Sequence, residues 1–264
     1  MNQSLKGKDI MDKEVQKPAV EVGNATRFID AYNKIDHSLR AQYNLKRGQS
    51  FADIIRRCSS LNSIVRKFED LLVDYARLRN AIIHSSYEDY IIAEPRTDVV
   101  ERMESIAELI CTPPLAITTA CRKDLLSVKS DTNIANVIAS ISSSGYSNLP
   151  VYENEALIGV ANGQRLIDLI GEQINNKVDI SKYIEETKIG DVIQRYEEDK
   201  YYIVTDAKLT IEEALNQFYT NRKLLAILIT KTGNYNEPAL GIITVSDIMD
   251  LNAMLDNFSG TKTK

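Results

Sequence analysis

Three polar side chains, Arg79, Asn80 and His84, lie in the stretch YARLRNAIIHS, residues 75–85, which otherwise has the pattern of a helix with a buried apolar stripe. On a helix, residues three and four apart share a face, so Asn80 and His84 lie a turn apart, with Arg79 beside them in a mostly apolar row. A histidine can act as general acid or base on a phosphodiester while an arginine stabilises the charge that develops on phosphorus. The pattern therefore offers a candidate catalytic set.

Two other interpretations of this stretch stay open. In the first, Arg79 snorkels or pairs with Asp70 or Asp74 of an adjacent turn, and His84 caps the helix C-terminus, where a cationic imidazole is favoured. In the second, the same face packs against a partner subunit. Both leave the polar residues without a catalytic role.

Helical periodicity dominates the N-terminal half of the chain. Apolar residues recur at helical spacing over residues 24–111, which predicts a small helical bundle, with a first helix over 24–43. Ser50 and Asp53 have the spacing of a capping box, which opens a long helix that reaches the YARLRNAIIHS stretch. Because that length is unusual for one globular helix, we expect a break near Ser59.

The C-terminal half contains an internal repeat. From Leu125 onward, short β-branched runs alternate with helical ones, and each copy predicts a strand, a helix, two strands joined by a turn, and a closing helix. The copies span about residues 118–175 and 187–255, after two stiff prolines at 113–114 that restrict how the halves sit. Residues 1–22 are polar and lack periodicity, which predicts a mobile tail.

Each copy resembles a CBS domain, through SNLPVYE and LIGVA in the first copy and KLLAILI and ALGIITVSDIMDL in the second. The resemblance implies a disc-like pair that dimerises and binds adenosine-containing ligands. In that family, the junction of the last strand and last helix holds the ribose, and GIITVSD places Thr244, Ser246 and Asp247 there, the carboxylate accepting hydrogen bonds from the sugar hydroxyls. The first copy departs from this pattern, with Asn162 and Arg165 in place of the hydroxyl and the acid.

The same resemblance implies partners for the rest of a nucleotide. Arg222 and Lys223, before the middle strand of the second copy, would reach the phosphates, and the adenine would lie against the first strand near Thr205. The implied ligand is AMP, ADP, ATP or an adenine dinucleotide. From the residues alone, Ser246 and Asp247 can equally be read as the cap of the last helix.

The segment RNAIIH resembles the R-polar-x-x-x-H motif of HEPN domains, which are helical bundles of nucleotide-processing and RNA-cleaving proteins. The resemblance covers residues 23–112 and implies that Arg79, Asn80 and His84 meet their symmetry mates across a dimer as a metal-independent ribonuclease centre. Many HEPN-like domains are non-catalytic.

Composition narrows the remaining classes. The net charge of −5 and pI of about 5.3 provide no global basic field for nucleic acid. Three cysteines without C-x-x-C and two histidines indicate neither a disulfide framework nor a metal site. No secretory signal or membrane-spanning run is evident, so we expect a cytoplasmic protein that does not enter membranes.

Together these observations predict an α+β protein: a HEPN-like N-terminal helical bundle followed by a pseudo-symmetric pair of CBS α/β domains, forming a homodimer through both parts. One hypothesis is an adenine-nucleotide sensor that signals to the bundle. A second is a nucleotide-gated ribonuclease acting on RNA, and a third is a dimerisation scaffold with neither activity.

Overall fold

The computed structural model of the protein describes residues 23–46, 48–84, 94–119, 121–193 and 201–258. The predicted mobile tail, residues 1–22, and the side chain of His84 lie outside the described part.

The N-terminal half is helical, as its periodicity predicts. Its helices are α1 (Asn24–Gln42), α2 (Phe51–Cys58), α3 (Ser63–Lys67), α4 (Glu69–His84) and α5 (Thr97–Cys111). The Ser50 side chain accepts a hydrogen bond from Asp53 N at 3.2 Å, which starts α2 as expected. The predicted break is confirmed, because α2 ends before Ser59, and Asn62 then caps α3 by accepting from Val65 N at 2.9 Å.

Two αβ repeats follow, with the same order of elements. The first repeat contains β1 (Val128–Lys129), α7 (Ile134–Ser144), β2 (Asn148–Glu153), β3 (Ala156–Asn162) and α8 (Gly163–Asn175). The second repeat contains β4 (Tyr202–Thr205), α11 (Ile211–Thr220), β5 (Ala226–Ile229), β6 (Gly241–Thr244), a 3-10 turn (Val245–Asp247) and α12 (Ile248–Phe258). In both, the first strand is parallel to the second and the second is antiparallel to the third, which confirms the internal repeat.

Two connectors follow α5 and the first repeat in the described part of the chain. The first connector, residues 113–124, joins α5 to the first repeat and contains α6 (Ala116–Thr119). The second connector, residues 176–193, joins the repeats and contains α9 (Ile180–Glu186) and α10 (Ile189–Ile193).

The first connector docks on the second repeat. Ala116 N donates to Leu209 O at 2.8 Å, and Ile211 N donates to Pro114 O at 2.9 Å. Each bond satisfies a backbone group at the start of α11 or just before it. The connector is therefore held by the repeat that comes later in the chain.

The second connector docks on the first repeat in the matching place. Ile134 N donates to Thr187 O at 3.1 Å, and Ile189 N donates to Thr132 O at 2.9 Å. The connector before the first repeat thus docks on the second repeat, and the connector after the first repeat docks back on the first.

The apolar cores divide the molecule differently from the sequence pattern. Buried side chains of the bundle and of the second repeat form one continuous core, which includes Leu72 of α4 and Leu255 of α12. A separate core fills the first repeat, with Leu149 of β2 and Leu169 of α8 among its members. A third, smaller cluster joins the two repeats, with Val160 of β3 and Leu228 of β5 among its members. The bundle and the second repeat therefore pack as one body.

None of the helices described above is both long and apolar enough to cross a bilayer.

Candidate ligand site at the end of the second repeat

Asp247 lies where β6 turns into α12. Its Oδ2 accepts hydrogen bonds from Thr244 N at 2.7 Å and from Thr244 Oγ1 at 2.8 Å, which closes a capping box around the 3-10 turn. Both residues are buried, at 7% and 8% exposed for Asp247 and Thr244. The capping interpretation is therefore realised by Thr244 and Asp247, whereas Ser246 is exposed.

A second partner of Asp247 comes from the first connector. Arg122 Nη2 donates to Asp247 Oδ1 at 3.1 Å, and the guanidinium lies 5.2 Å from the centre of the Tyr146 ring. The backbone holds this arginine in place, because Arg122 and Ile242 exchange two N–H···O bonds of 3.2 Å as an antiparallel bridge on β6. The sequence did not single out Arg122, since the pair spans 125 residues.

Close packing explains the glycine at the start of this segment. A Cβ on Gly241 would come within 1.9 Å of Cys121 Sγ and 3.0 Å of Arg122 O, so only a glycine lets the connector approach β6 this closely. The Cys121 thiol donates to Ile242 O at 3.6 Å. Burial, followed by the charge of Asp247, raises the pKa of Cys121 to about 12, so this thiol stays protonated at neutral pH.

A cavity of about 60 Å³ lies beside these residues, between the two repeats. It is lined by residues of the first connector, the first repeat and β6 with its turn: Arg122, Asp124, Leu125, Leu126, Gly145, Tyr146, Ser147, Asn148, Pro150, Ile242, Thr244 and Ser246. One water occupies about 30 Å³ in the liquid, so this cavity has room for a few waters and not for a nucleoside. A nucleoside that reached Asp247 would have to move part of this lining.

The other residues predicted for the ligand lie apart from this cavity. Arg222 and Lys223 are exposed in the turn before β5, where Lys223 N donates to Asn221 Oδ1 at 3.1 Å. Thr205 is half-buried at the end of β4, and its carbonyl accepts from Thr230 N at 2.9 Å. The cavity lining includes Thr244 and Ser246. Asp247, which contacts the lining residues Thr244 and Arg122, is not itself part of the lining. The other predicted residues outside it, all within the described ranges, are Arg222, Lys223 and Thr205.

The corresponding place in the first repeat is built from amides. Asn162 Oδ1 accepts from Arg165 N at 3.1 Å and caps α8, while Asn162 Nδ2 donates to Asn148 Oδ1 at 2.8 Å. The asymmetry between the two copies that the sequence predicts is therefore present in the structure as a different set of donors and acceptors.

The candidate catalytic set of the bundle is only partly within the described residues. The Arg79 guanidinium lies 5.4 Å from the centre of the Tyr32 ring, and Arg79 Nη1 donates to Asn80 Oδ1 at 3.4 Å. Asn80 is exposed. Asp74, one expected partner of Arg79, instead pairs with Arg77 at 2.8 Å. The third member of the predicted set is His84, whose side chain lies outside the described part of the structure.

Comparison with known proteins supports the assignment of the first repeat. Residues 117–172 match the family model of the CBS domain. No curated protein matches the chain. The second repeat is linked to the first by its strand order and pairing, described above.

Solved structures similar to the chain include CBS proteins. They include CBSX2 in complex with AMP (17% identity, covering 54% of this chain and 98% of that one, TM-score 0.41). The CBS domain of a bacterial CNNM/CorC family Mg²⁺ transporter in complex with ATP also matches, with 17% identity over 58% of this chain and 95% of that one and a TM-score of 0.41. A third is protein MJ1225 from Methanocaldococcus jannaschii, with 15% identity over 67% of this chain and 63% of that one and a TM-score of 0.44.

Proposed function

We propose that the protein is a regulatory sensor of an adenine nucleotide, which binds beside Asp247 and signals to the helical bundle. The observation that carries this proposal is the buried Asp247 carboxylate, held by Thr244 at the edge of a cavity between the repeats. A fixed carboxylate accepts hydrogen bonds from a ribose diol without reorganising, which favours binding. The CBS match of the neighbouring repeat supports the same ligand class.

The ligand contacts follow from the positions of the polar groups. Thr244, Ser246 and Asp247 form the sugar end of the proposed site. Arg222, Lys223 and Thr205 would contact only a ligand that extends beyond the lined cavity, such as one with a phosphate chain.

One helix supports the route from the site to the bundle. Helix α12 begins directly after Asp247, and further along it Lys67 of α3 donates to Asn252 O at 3.0 Å and pairs with Asp256 at 3.1 Å. A shift at the start of α12 would therefore change the contacts of this helix with α3. We assign the signal to α12 because its start adjoins the proposed ligand site and its later turns contact α3 of the bundle.

A second set of contacts strengthens the same junction. The Ser63 hydroxyl of α3 donates to the Glu212 carbonyl at 2.9 Å, and Ser63 N donates to the Glu212 carboxylate at 3.2 Å. The Arg66 guanidinium lies 3.5 Å from the centre of the Tyr219 ring. These contacts hold α11 of the second repeat against α3, next to the contacts that α12 makes with Lys67.

Thermal melting tests the proposal. A ligand that binds only the folded state raises the melting temperature by mass action, so at least one of adenosine, AMP, ADP, ATP and NAD should do so. Asp247→Asn should remove most of the rise, because an amide presents one acceptor oxygen where the carboxylate presents two.

The matched control is Asp250→Asn, which removes an exposed acid three residues further along the chain. It should leave the rise intact. A rise that survives Asp247→Asn, or the absence of a rise with every one of these compounds in the unaltered protein, would disprove the proposal.

A further inference from the structure

The ribose-binding carboxylate of the proposed site already has a charged occupant. Asp247 Oδ2 is used by the two donors of Thr244, and Oδ1 is used by Arg122 at 3.1 Å. A sugar diol has two O–H donors and needs acceptor oxygens that are open to it. Arg122 and the sugar therefore compete for the same side of the carboxylate.

We propose that Arg122 is a built-in competitor for the Asp247 carboxylate, and that a nucleoside binds by displacing the arginine from it. This inference rests on the proposed function and adds regulation to the same site. It makes the affinity of the site depend on the position of the first connector.

The two partners differ in their freedom to move. The Asp247 side chain is 10% exposed and is fixed by Thr244, whereas the Arg122 side chain is 42% exposed. A long arginine side chain at this exposure can rotate into water and keep its charge solvated. Displacement therefore moves Arg122 and leaves the carboxylate in place.

The small size of the cavity supports the competition. Arg122 and Tyr146 are both part of its lining, and the guanidinium lies against the Tyr146 ring. Moving Arg122 away from Asp247 and Tyr146 would open the same space that a nucleoside needs.

The position of Arg122 in the chain connects this step to the bundle. The first connector starts at the end of α5 and is bonded to the second repeat through Pro114, Ala116 and Arg122. When the side chain of Arg122 leaves Asp247, the connector loses its one recorded ion pair to the second repeat, among the residues that the structure describes. The backbone bonds of Pro114, Ala116 and Arg122 do not involve this side chain, so the connector stays docked while its contact with Asp247 is lost.

The test compares Arg122→Gln with the unaltered full-length protein by calorimetric titration of adenosine and of AMP. Adenosine has no charge, so its affinity is free of any attraction between arginine and phosphate. Removing a partly exposed ion pair that competes with the ligand should tighten binding about fivefold. The matched control is Arg77→Gln, because Arg77 pairs with Asp74 on the exposed face of α4, and it should leave the affinity unchanged.

A second measurement on the unaltered protein keeps the proposal testable if Arg122→Gln folds poorly. Salt screens a partly exposed ion pair, so the affinity for adenosine should rise when the NaCl concentration increases from about 50 to about 500 mM. In Arg122→Gln this salt dependence should disappear. An affinity for adenosine that stays constant or falls with salt in the unaltered protein would contradict the competition.

The outcomes separate this inference from the proposed function. Tighter binding of either ligand by Arg122→Gln supports the competition. Equal or weaker binding, with Asp247→Asn still abolishing it, overturns the competition and leaves the sensor function intact. If neither ligand binds to the unaltered protein or to Arg122→Gln, the competition is wrong, and the melting experiment with ADP, ATP and NAD decides the sensor function separately.

Discussion

Gly241 and Gly159 occupy equivalent positions on the third strand of their repeats, and both are explained by close packing. A Cβ on Gly159 would come within 2.3 Å of Ile193 Cγ2, as one on Gly241 would meet Cys121. In each case the contacting residue belongs to the connector that crosses the strand. The glycine of the GIITVSD motif therefore has a packing role that is independent of any ligand.

We expect Gly241→Ala to destabilise the protein by about 1–3 kcal/mol, because the added methyl group must push the connector off β6. Chemical denaturation measures this loss. Gly171→Ala is the matched control: Gly171 lies in α8, and a Cβ there meets nothing within 4 Å. It should instead stabilise by about 0.5–1 kcal/mol through helix propensity. Equal effects of the two substitutions would show that the close packing at Gly241 is unimportant.

The residues of the candidate site were partly predictable. The spacing of Thr244 and Asp247 sets their mutual contact, because both lie at one strand–helix junction. Arg122 was not predictable, since its contact with Asp247 depends on where the first connector docks. Local spacing carries no information about that docking.

At the scale of elements, the Glu212 carboxyl group holds α11 against the bundle, and its pKa is shifted from the ordinary value. Burial raises the pKa of Glu212, and the hydrogen bond from Ser63 N only partly offsets this effect. As the pH rises through the ordinary carboxyl range, the unfolded chain loses this proton before the folded one does. The folded state is therefore destabilised by this group as the pH rises.

Glu212→Gln should remove this pH-dependent loss, because glutamine is neutral and can still accept from Ser63 N. We expect the variant to melt above the unaltered protein at pH 7, with a difference that shrinks towards pH 4. The exposed Glu172→Gln serves as the control and should follow the unaltered protein at all pH values. A difference for Glu212→Gln that is constant with pH would contradict the assigned cause.

The helices and strands themselves were largely predictable, because helical periodicity and the repeat are local patterns. The break after Cys58 followed from helix length, and the order of elements in the two copies followed from their alignment. What local patterns could not supply is the exchange of connectors between the repeats. Its hydrogen bonds involve backbone groups, which any sequence presents equally.

At the scale of the whole molecule, the two larger cores predict two cooperative units, which are joined by a smaller cluster of buried residues between the sheets of the two repeats. The bundle and the second repeat share one core, whereas the first repeat has its own. Leu255→Ala removes a fully buried side chain of α12. It should cost about 2–5 kcal/mol and lower the hydrogen-exchange protection of α1 and α5 as well as of α11.

The reciprocal variant is Leu169→Ala, in the core of the first repeat, where Leu169 is 1% exposed. It should lower protection in α7 and α8 and leave α1 and α5 as they are. If both variants changed the exchange of the whole chain equally, the molecule would unfold as a single unit and this division would be wrong.

The exchange of connectors also determines what a shortened chain would lose in addition to the core that the bundle shares with the second repeat. A chain that begins at residue 125 would retain every element of both repeats, yet it would lack the segment that covers Gly241 and supplies Arg122 to Asp247. The second repeat would then have an open groove along β6 and a buried acid without its counter-ion. Any excision of the bundle must therefore retain residues 113–124, because these residues make their contacts with the second repeat, at the C-terminal end of the chain.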